Sequence, residues 1–306
     1  VEPFEPKLIV VPTDLSEPAA HALRYASSLG ERFGAHLLVI YATSFVPPID
    51  YTAGAGAMLD FPLDAAIERA REELQRHAEE NVSANVPFDV RVVVAEPLDA
   101  ILDQVRESGA NLVVMGTHGR TGVMRLMFGS VTEAVMRLVP VPVIAVNPNS
   151  ATRDVRKVLC PVTLSPACRN ALETAASIVT GRKAPLMLLR SMEDHDAHNG
   201  AQELMRLQRW LPHELVDRCE LKLVSESENA DDIVQLARDV HADLIAFGIP
   251  ADRSVVDSLR GTIGERIVQR SGCPVLTVNA YAARVFSEAS GRHIAAPAAP
   301  FATSAF

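Results

Sequence analysis

One sequence is written twice in this chain, which limits it to a fold that can be used in tandem. KLIVVPTDLSEPAAHALRYASSLGERFGAHLLVIYA, from Lys7, aligns with RKVLCPVTLSPACRNALETAASIVTGRKAPLMLLRS, from Arg156, and sets Pro12 against Pro161 and Ser16 against Ser165. LDAILDQVRESGANLVVMGTH then matches ADDIVQLARDVHADLIAFGIP, and FGSVTEAVMRLVPVPVIAV matches RGTIGERIVQRSGCPVLTV. The offset is 149 at the first strand but 132 at Gly116/Gly248, Gly129/Gly261 and Pro142/Pro274, so the first copy holds 17 extra residues. They fall in SFVPPIDYTAGAGAMLDFPL, Ser44 to Leu63, whose Pro-Pro, Gly-x-Gly and scattered aromatics predict a mobile loop rather than an element. Such a loop could cover a ligand near Gly116, or stand as an uninvolved surface insertion.

Within each copy, short apolar runs alternate with helical periodicity. In the first copy this predicts strands at Leu8 to Val11, His36 to Tyr41, Val90 to Val94, Leu112 to Met115 and Val141 to Val146. A helix starts from an Asp14/Ser16 cap with Pro18 in its first turn, a long charged helix runs from Glu68 to Asn81, and Val131 to Leu138 continues Ser130 as an amphipathic helix. Alternation of this kind predicts an α/β class: two tandem domains, each a mostly parallel five-stranded sheet flanked by helices. A ligand then lies beyond the strand C-termini where the strand order reverses, and Pro12-Thr13-Asp14 and Gly116 are expected to face that crevice. The last strands, VPVIAV and CPVLTV, are candidates to pair with each other at the sheet edges and dock the halves as a pseudo-dimer. The expected domains are 1–148 and 153–279, with a polar linker at Asn147 to Asp154 and a flexible Ala/Pro-rich tail at 280–306.

The most specific motif is Gly116-x-x-Gly119-x9-Gly129-Ser130, placed between the strand that ends at Met115 and the helix that begins at Ser130. Glycines let the backbone turn sharply and bring N–H groups close to an anion, and a helix N-terminus adds positive partial charge. A nucleotide phosphate suits such a cradle; the bland alternative is that the glycines only serve turns.

These residues resemble the universal stress protein family, specifically its tandem-domain members. The glycine motif is similar to that family's ATP-binding signature and VVPTDLSEPA to its opening strand, and the resemblance runs from Lys7 to about Asn279. It implies a Rossmann-like fold, ATP or another adenine nucleotide as ligand, and a role in survival under stress or dormancy. Carried over by residue, it implies that Asp14 contacts ribose and the adenine side, and that the Pro12, Thr13 and Ala42 backbones line the base pocket with Val94. Gly116, Thr117, Gly119, Gly129 and Ser130 would hold phosphates, followed by Val131 and Thr132, with His118 and Arg120 flanking the cradle. The second copy departs from the pattern: Thr163 replaces Asp14, Ala251 replaces Gly119, and Pro250 contributes no N–H, although Gly261-Thr262 survives. One working site, in the first copy, is therefore expected.

Bulk properties narrow the function classes. Aromatics are 5% of the chain, so the cores should rest on aliphatic side chains. With 29 Lys and Arg against 38 acidic residues and no basic block, polynucleotide binding is not expected. No apolar run has membrane-spanning length and VEPFEPK lacks signal-peptide order, so no membrane partner and a cytoplasmic location are expected. Cys160, Cys168, Cys219 and Cys273 lack zinc spacing and read as buried thiols. There is no P-loop lysine and no nucleophile elbow, so no catalytic residue is assigned and efficient turnover is not expected. The phosphates could carry Mg2+, but no dedicated metal cluster can be read. An ATP-binding regulatory protein leads; a slow ATP hydrolase or phosphotransferase and a nucleotide-free scaffold are the alternatives. A homodimer and a protein partner are compatible with the sequence, which identifies neither.

Overall fold

A computed structural model describes residues 4–43, 49–50, 57–58, 63–117, 129–148, 150, 154–162, 164–179, 185–192, 200–225, 230–249 and 263–280. The first half runs β1 (Leu8–Pro12), α1 (Glu17–Phe33), β2 (His36–Thr43), the short β3 (Ile49–Asp50) and β4 (Ala57–Met58), and α2 (Leu63–Asn81). It continues through β5 (Phe88–Val94), α3 (Pro97–Ser108), β6 (Leu112–Gly116), α4 (Ser130–Leu138) and β7 (Val143–Val146). The second half repeats the plan with β8 (Val158–Pro161), α5 (Pro166–Ile178), β9 (Leu186–Met192), α6 (Gly200–Trp210), α7 (His213–Val216) and β10 (Cys219–Ser225). α8 (Ala230–Asp239), β11 (Leu244–Ile249), α9 (Ile263–Arg270) and β12 (Val275–Asn279) complete it.

Local chemistry sets the element ends. Ser16 caps α1 by accepting from the Ala19 N–H at 3.4 Å, Pro18 fits the first turn because no N–H is needed there, and Gly34 ends the helix in the left-handed region at φ 66°. Ser165 caps α5 in the same way, from the equivalent position in the repeat. The residue before each cap, Leu15 and Leu164, also takes positive φ, 64° and 55°. Both copies therefore use the same strained turn to swing from the first strand into the first helix.

Ten strands form one sheet in the order β10-β9-β8-β11-β12-β7-β6-β1-β2-β5. Within this sheet pairing is parallel in each half and antiparallel where β7 meets β12, with Ala145 opposite Val275 and Val143 opposite Thr277. Since the strands of the two halves run in opposite directions, their C-terminal ends lie on opposite edges of the sheet. The strand order in each half reverses after its first strand, between β1 and β6 and between β8 and β11.

Side chains from α1, α2, α5 and α6, including Leu23, Tyr25, Leu74, Leu172 and Leu207, fill one face. Those from α3, α4, α8 and α9, including Ile101, Val135, Val234 and Val268, fill the other. Both layers continue across the seam. They are aliphatic, as expected for strands buried on both sides. No helix of the described residues is long and apolar enough to cross a membrane.

Some boundaries differ from the sequence reading. The last strand of the first half begins at Val143, not Val141, because Pro142 cannot donate to a ladder. The second helix begins at Leu63 rather than Glu68, since Asp64 favours the positive helix end and Ala65 and Ala66 propagate it. The stretch expected to be free of elements holds the β3–β4 pair, with Ile49 opposite Met58; two-residue strands leave no periodicity to read. The rest of 44–62 and the tail from residue 281 lie outside the described residues. None of the four cysteines is in a disulfide; Cys160, Cys168 and Cys273 are buried and Cys219 is half-buried.

Candidate functional site

In the first half, β1, β2, β5 and β6 deliver Pro12-Thr13-Asp14, Ala42, Val94 and Gly116-Thr117 to the same C-terminal edge. At the β1 exit the Thr13 N–H donates to Ile40 O at 2.9 Å, which continues the ladder and holds this buried residue in place. Its hydroxyl accepts from the Leu15 N–H at 3.0 Å. The half-buried Asp14 carboxylate accepts from both the N–H and the hydroxyl of Ser16, at 3.1 and 2.5 Å, closing a tight turn over the start of α1. Ala42 is half-buried near the end of β2, and Val94, at the end of the edge strand β5, is 49% exposed.

Sequence reasoning missed His77. Its Nε2 lies 3.3 Å from the Thr13 hydroxyl, bringing α2 against the β1 exit. Burial lowers the ring's pKa, while Glu80, Asp14 and Glu17 pull it back up and Arg24 pushes it down. Arg24 braces the same corner by donating to Asn81 Oδ1 at 2.7 Å and Glu17 Oε1 at 2.6 Å, and it holds the Glu17 carboxyl below its usual range. The available signal was spacing: Leu74, His77, Ala78 and Asn81 form one helical stripe, of which Leu74 and Ala78 are buried.

Across the switch point, Thr117 is fully buried and fixed by three bonds. Its N–H donates to Val146 O at 3.1 Å, its carbonyl accepts from the Gly129 N–H at 3.1 Å, and its hydroxyl donates to Asn147 Oδ1 at 2.9 Å. The Thr132 hydroxyl donates to Gly116 O at 3.0 Å. Together these bonds tie the end of β6 to the start of α4. Gly129 is the N-cap of α4, and a Cβ there would stand 3.3 Å from Thr117 O, so a side chain would press on the closing bond. The Gly129 amide and the Thr132 hydroxyl are thus committed to that tie. The backbone N–H groups for which α4 supplies no acceptor are those of Ser130, Val131 and Thr132, and the Ser130 side chain is exposed at that end. His118, Gly119 and Arg120 lie outside the described residues.

Chemically, this edge offers a positive helix end at α4 and a carboxylate at Asp14, on either side of the switch point between β6 and β1. An elongated ligand with an anionic end and a hydroxyl-bearing end matches that polarity.

In the second half Gly248, the counterpart of Gly116, is pressed against the start of α5, where a Cβ would meet Cys168 N and the Ala167 carbonyl carbon. Here the glycine is needed for close helix–strand packing. Ile249, 8% exposed, stands where the first half has Thr117. Thr163, Pro250, Ala251, Gly261 and Thr262 lie outside the described residues.

Comparison with known proteins agrees with this repeated architecture. The chain matches the Universal stress protein family over residues 6–147 and again over 154–279. It is 30% identical over 142 residues to Universal stress protein MJ0531 of Methanocaldococcus jannaschii, covering 46% of this chain and 82% of that protein. It is 33% identical over 142 residues to a Thermus aquaticus universal stress protein, covering 46% of this chain and 98% of that one. A solved universal stress protein from Archaeoglobus fulgidus superposes with a TM-score of 0.67 at 18% identity, covering 90% of this chain and 99% of the other, so the likeness in fold extends across both halves.

Proposed function

The chain belongs to the universal stress protein family, whose pattern it carries twice, and from that premise we propose that its first half binds ATP or a related adenine nucleotide as a regulatory ligand. One observation carries the reading: the N-terminus of α4 opens on the edge where the strand order reverses between β1 and β6, with Asp14 on the opposite side. In this reading the Ser130, Val131 and Thr132 amides and the Ser130 hydroxyl hold phosphate oxygens. Asp14 accepts from a ribose hydroxyl, and Pro12, Thr13, Ala42 and Val94 line the base. By sequence position Gly119 belongs to the phosphate turn, with His118 and Arg120 beside it.

The second half acts mainly as a docking partner. Asp14 is replaced there by Thr163, Gly119 by Ala251, and Pro250 offers no N–H. Occupancy of the first half changes what the whole chain binds or how it assembles, in keeping with a stress-response role.

Native mass spectrometry of protein purified without added ligand, followed by calorimetry with ATP, tests the proposal. One equivalent is expected. Asp14→Ala and Gly119→Ala should each weaken binding about ten- to a hundredfold, the value of one lost charge-assisted contact. Two equivalents of equal affinity, or an affinity indifferent to both substitutions, would overturn it.

A further inference from the structure

Asn147 and Asn279 occupy equivalent positions in the two copies, each at the C-terminal end of its half's last strand, and both are buried. The Asn147 side-chain amide donates across the seam to Val268 O at 2.9 Å and Ser271 O at 3.1 Å, carbonyls at the end of α9. Asn279 returns the same pair of bonds, to Met136 O at 3.2 Å and Val139 O at 2.7 Å, at the end of α4. These carbonyls have no partner inside their own helices, so each half caps the other's last helix.

The symmetry breaks at one point. The Asn147 carbonyl oxygen accepts from the Thr117 hydroxyl, whereas Ile249 stands at the matching place in the second half and has no hydroxyl to give Asn279. A buried line of bonds therefore runs from Gly129 N–H to Thr117 O, from Thr117 Oγ1 to Asn147 Oδ1, and from Asn147 Nδ2 to the end of α9.

We propose that Thr117 and Asn147 couple the N-terminal end of α4 in the first half to the last helix of the second, so that nucleotide occupancy at α4 is registered at the C-terminal end of α9. This rests on the nucleotide reading above and names its regulation. Both amide hydrogens of Asn147 are used, and Asn147 and Thr117 are buried. A shift of Thr117 must then either break a buried bond or carry the end of α9 with it. Ile249 supplies no hydroxyl for this link in the second half. α9 is short and Ser271 already terminates it, so its last turn is the element that can be held or released.

Hydrogen exchange across residues 263–279, with and without ATP, tests the link in the full chain. In the wild type and in Thr117→Ser, which keeps the hydroxyl, ATP should slow exchange around 268–274 by about fivefold or more. In Asn147→Ala, at a residue outside the proposed nucleotide contacts, calorimetry should still find ATP bound, but the second half should no longer respond. Thr117→Val cuts the same line one bond earlier, and its second half should also stay silent at ATP concentrations that saturate the variant. A wild type that binds ATP without any change at 268–274, or a severed variant that responds like the wild type, overturns the coupling alone. A wild type that binds no ATP overturns the nucleotide reading and the coupling with it.

Discussion

The Thr13–His77 contact gives the β1 exit a titrating neighbour. Burial lowers the His77 pKa in the folded chain from its ordinary 6.5, against the opposing pull of Glu80, Asp14 and Glu17. Between those two values the unfolded chain binds a proton that the folded chain does not. The stability that His77 contributes by staying neutral is therefore full above about pH 6.5 and is lost as the pH falls from there toward the lowered native value. Urea unfolding across this range should show a steeper acid-side decline for the wild type than for His77→Gln. Superimposable curves would mean the ring titrates alike in both states. Only the packing of α2 could reveal this residue, because its spacing marks a face without saying what that face meets. Asp14 and Ser16 were legible because capping chemistry acts over neighbouring residues: Ser16 caps α1, while Asp14 accepts from Ser16.

At the scale of elements, glycines serve different ends. Gly34 needs a left-handed backbone but faces open space, whereas Gly248 sits where a methyl would meet the backbone of α5. Gly34→Ala should cost about 1 kcal/mol from backbone strain alone. Gly248→Ala should cost about 3 kcal/mol, because helix and strand must separate to admit the methyl. Denaturant midpoints of the two variants check this, and equal losses would show that α5 yields freely. The principal strands and the helices flanking them were legible from periodicity and caps; the β3–β4 pair was not, since its pairing partner rather than its own pattern makes it a strand.

For the whole molecule, the β7–β12 seam determines how the copies sit together. It joins two parallel sheets into one and places the candidate sites' edges on opposite sides. A fragment ending near residue 150 would present β7 as a bare edge of four buried residues and leave the α4 carbonyls without Asn279. Such a fragment should self-associate through β7, and sedimentation should find a dimer where the full chain is half as associated. A monomeric fragment at the same concentration would mean the seam is held by more than its edge.

The sequence by itself determined that one α/β unit occurs twice and where its helices are capped, because these depend on neighbours and on short periodicities. Tertiary structure alone decided that Asn147 and Asn279 clasp helix ends 121 to 143 positions away, that Thr117 joins one clasp and not the other, and that His77 reaches the β1 exit. A local pattern fixes which face of an element is apolar. What that face and its buried polar atoms meet is set by close packing between distant segments, where an unmatched amide or carbonyl costs too much to leave unpaired.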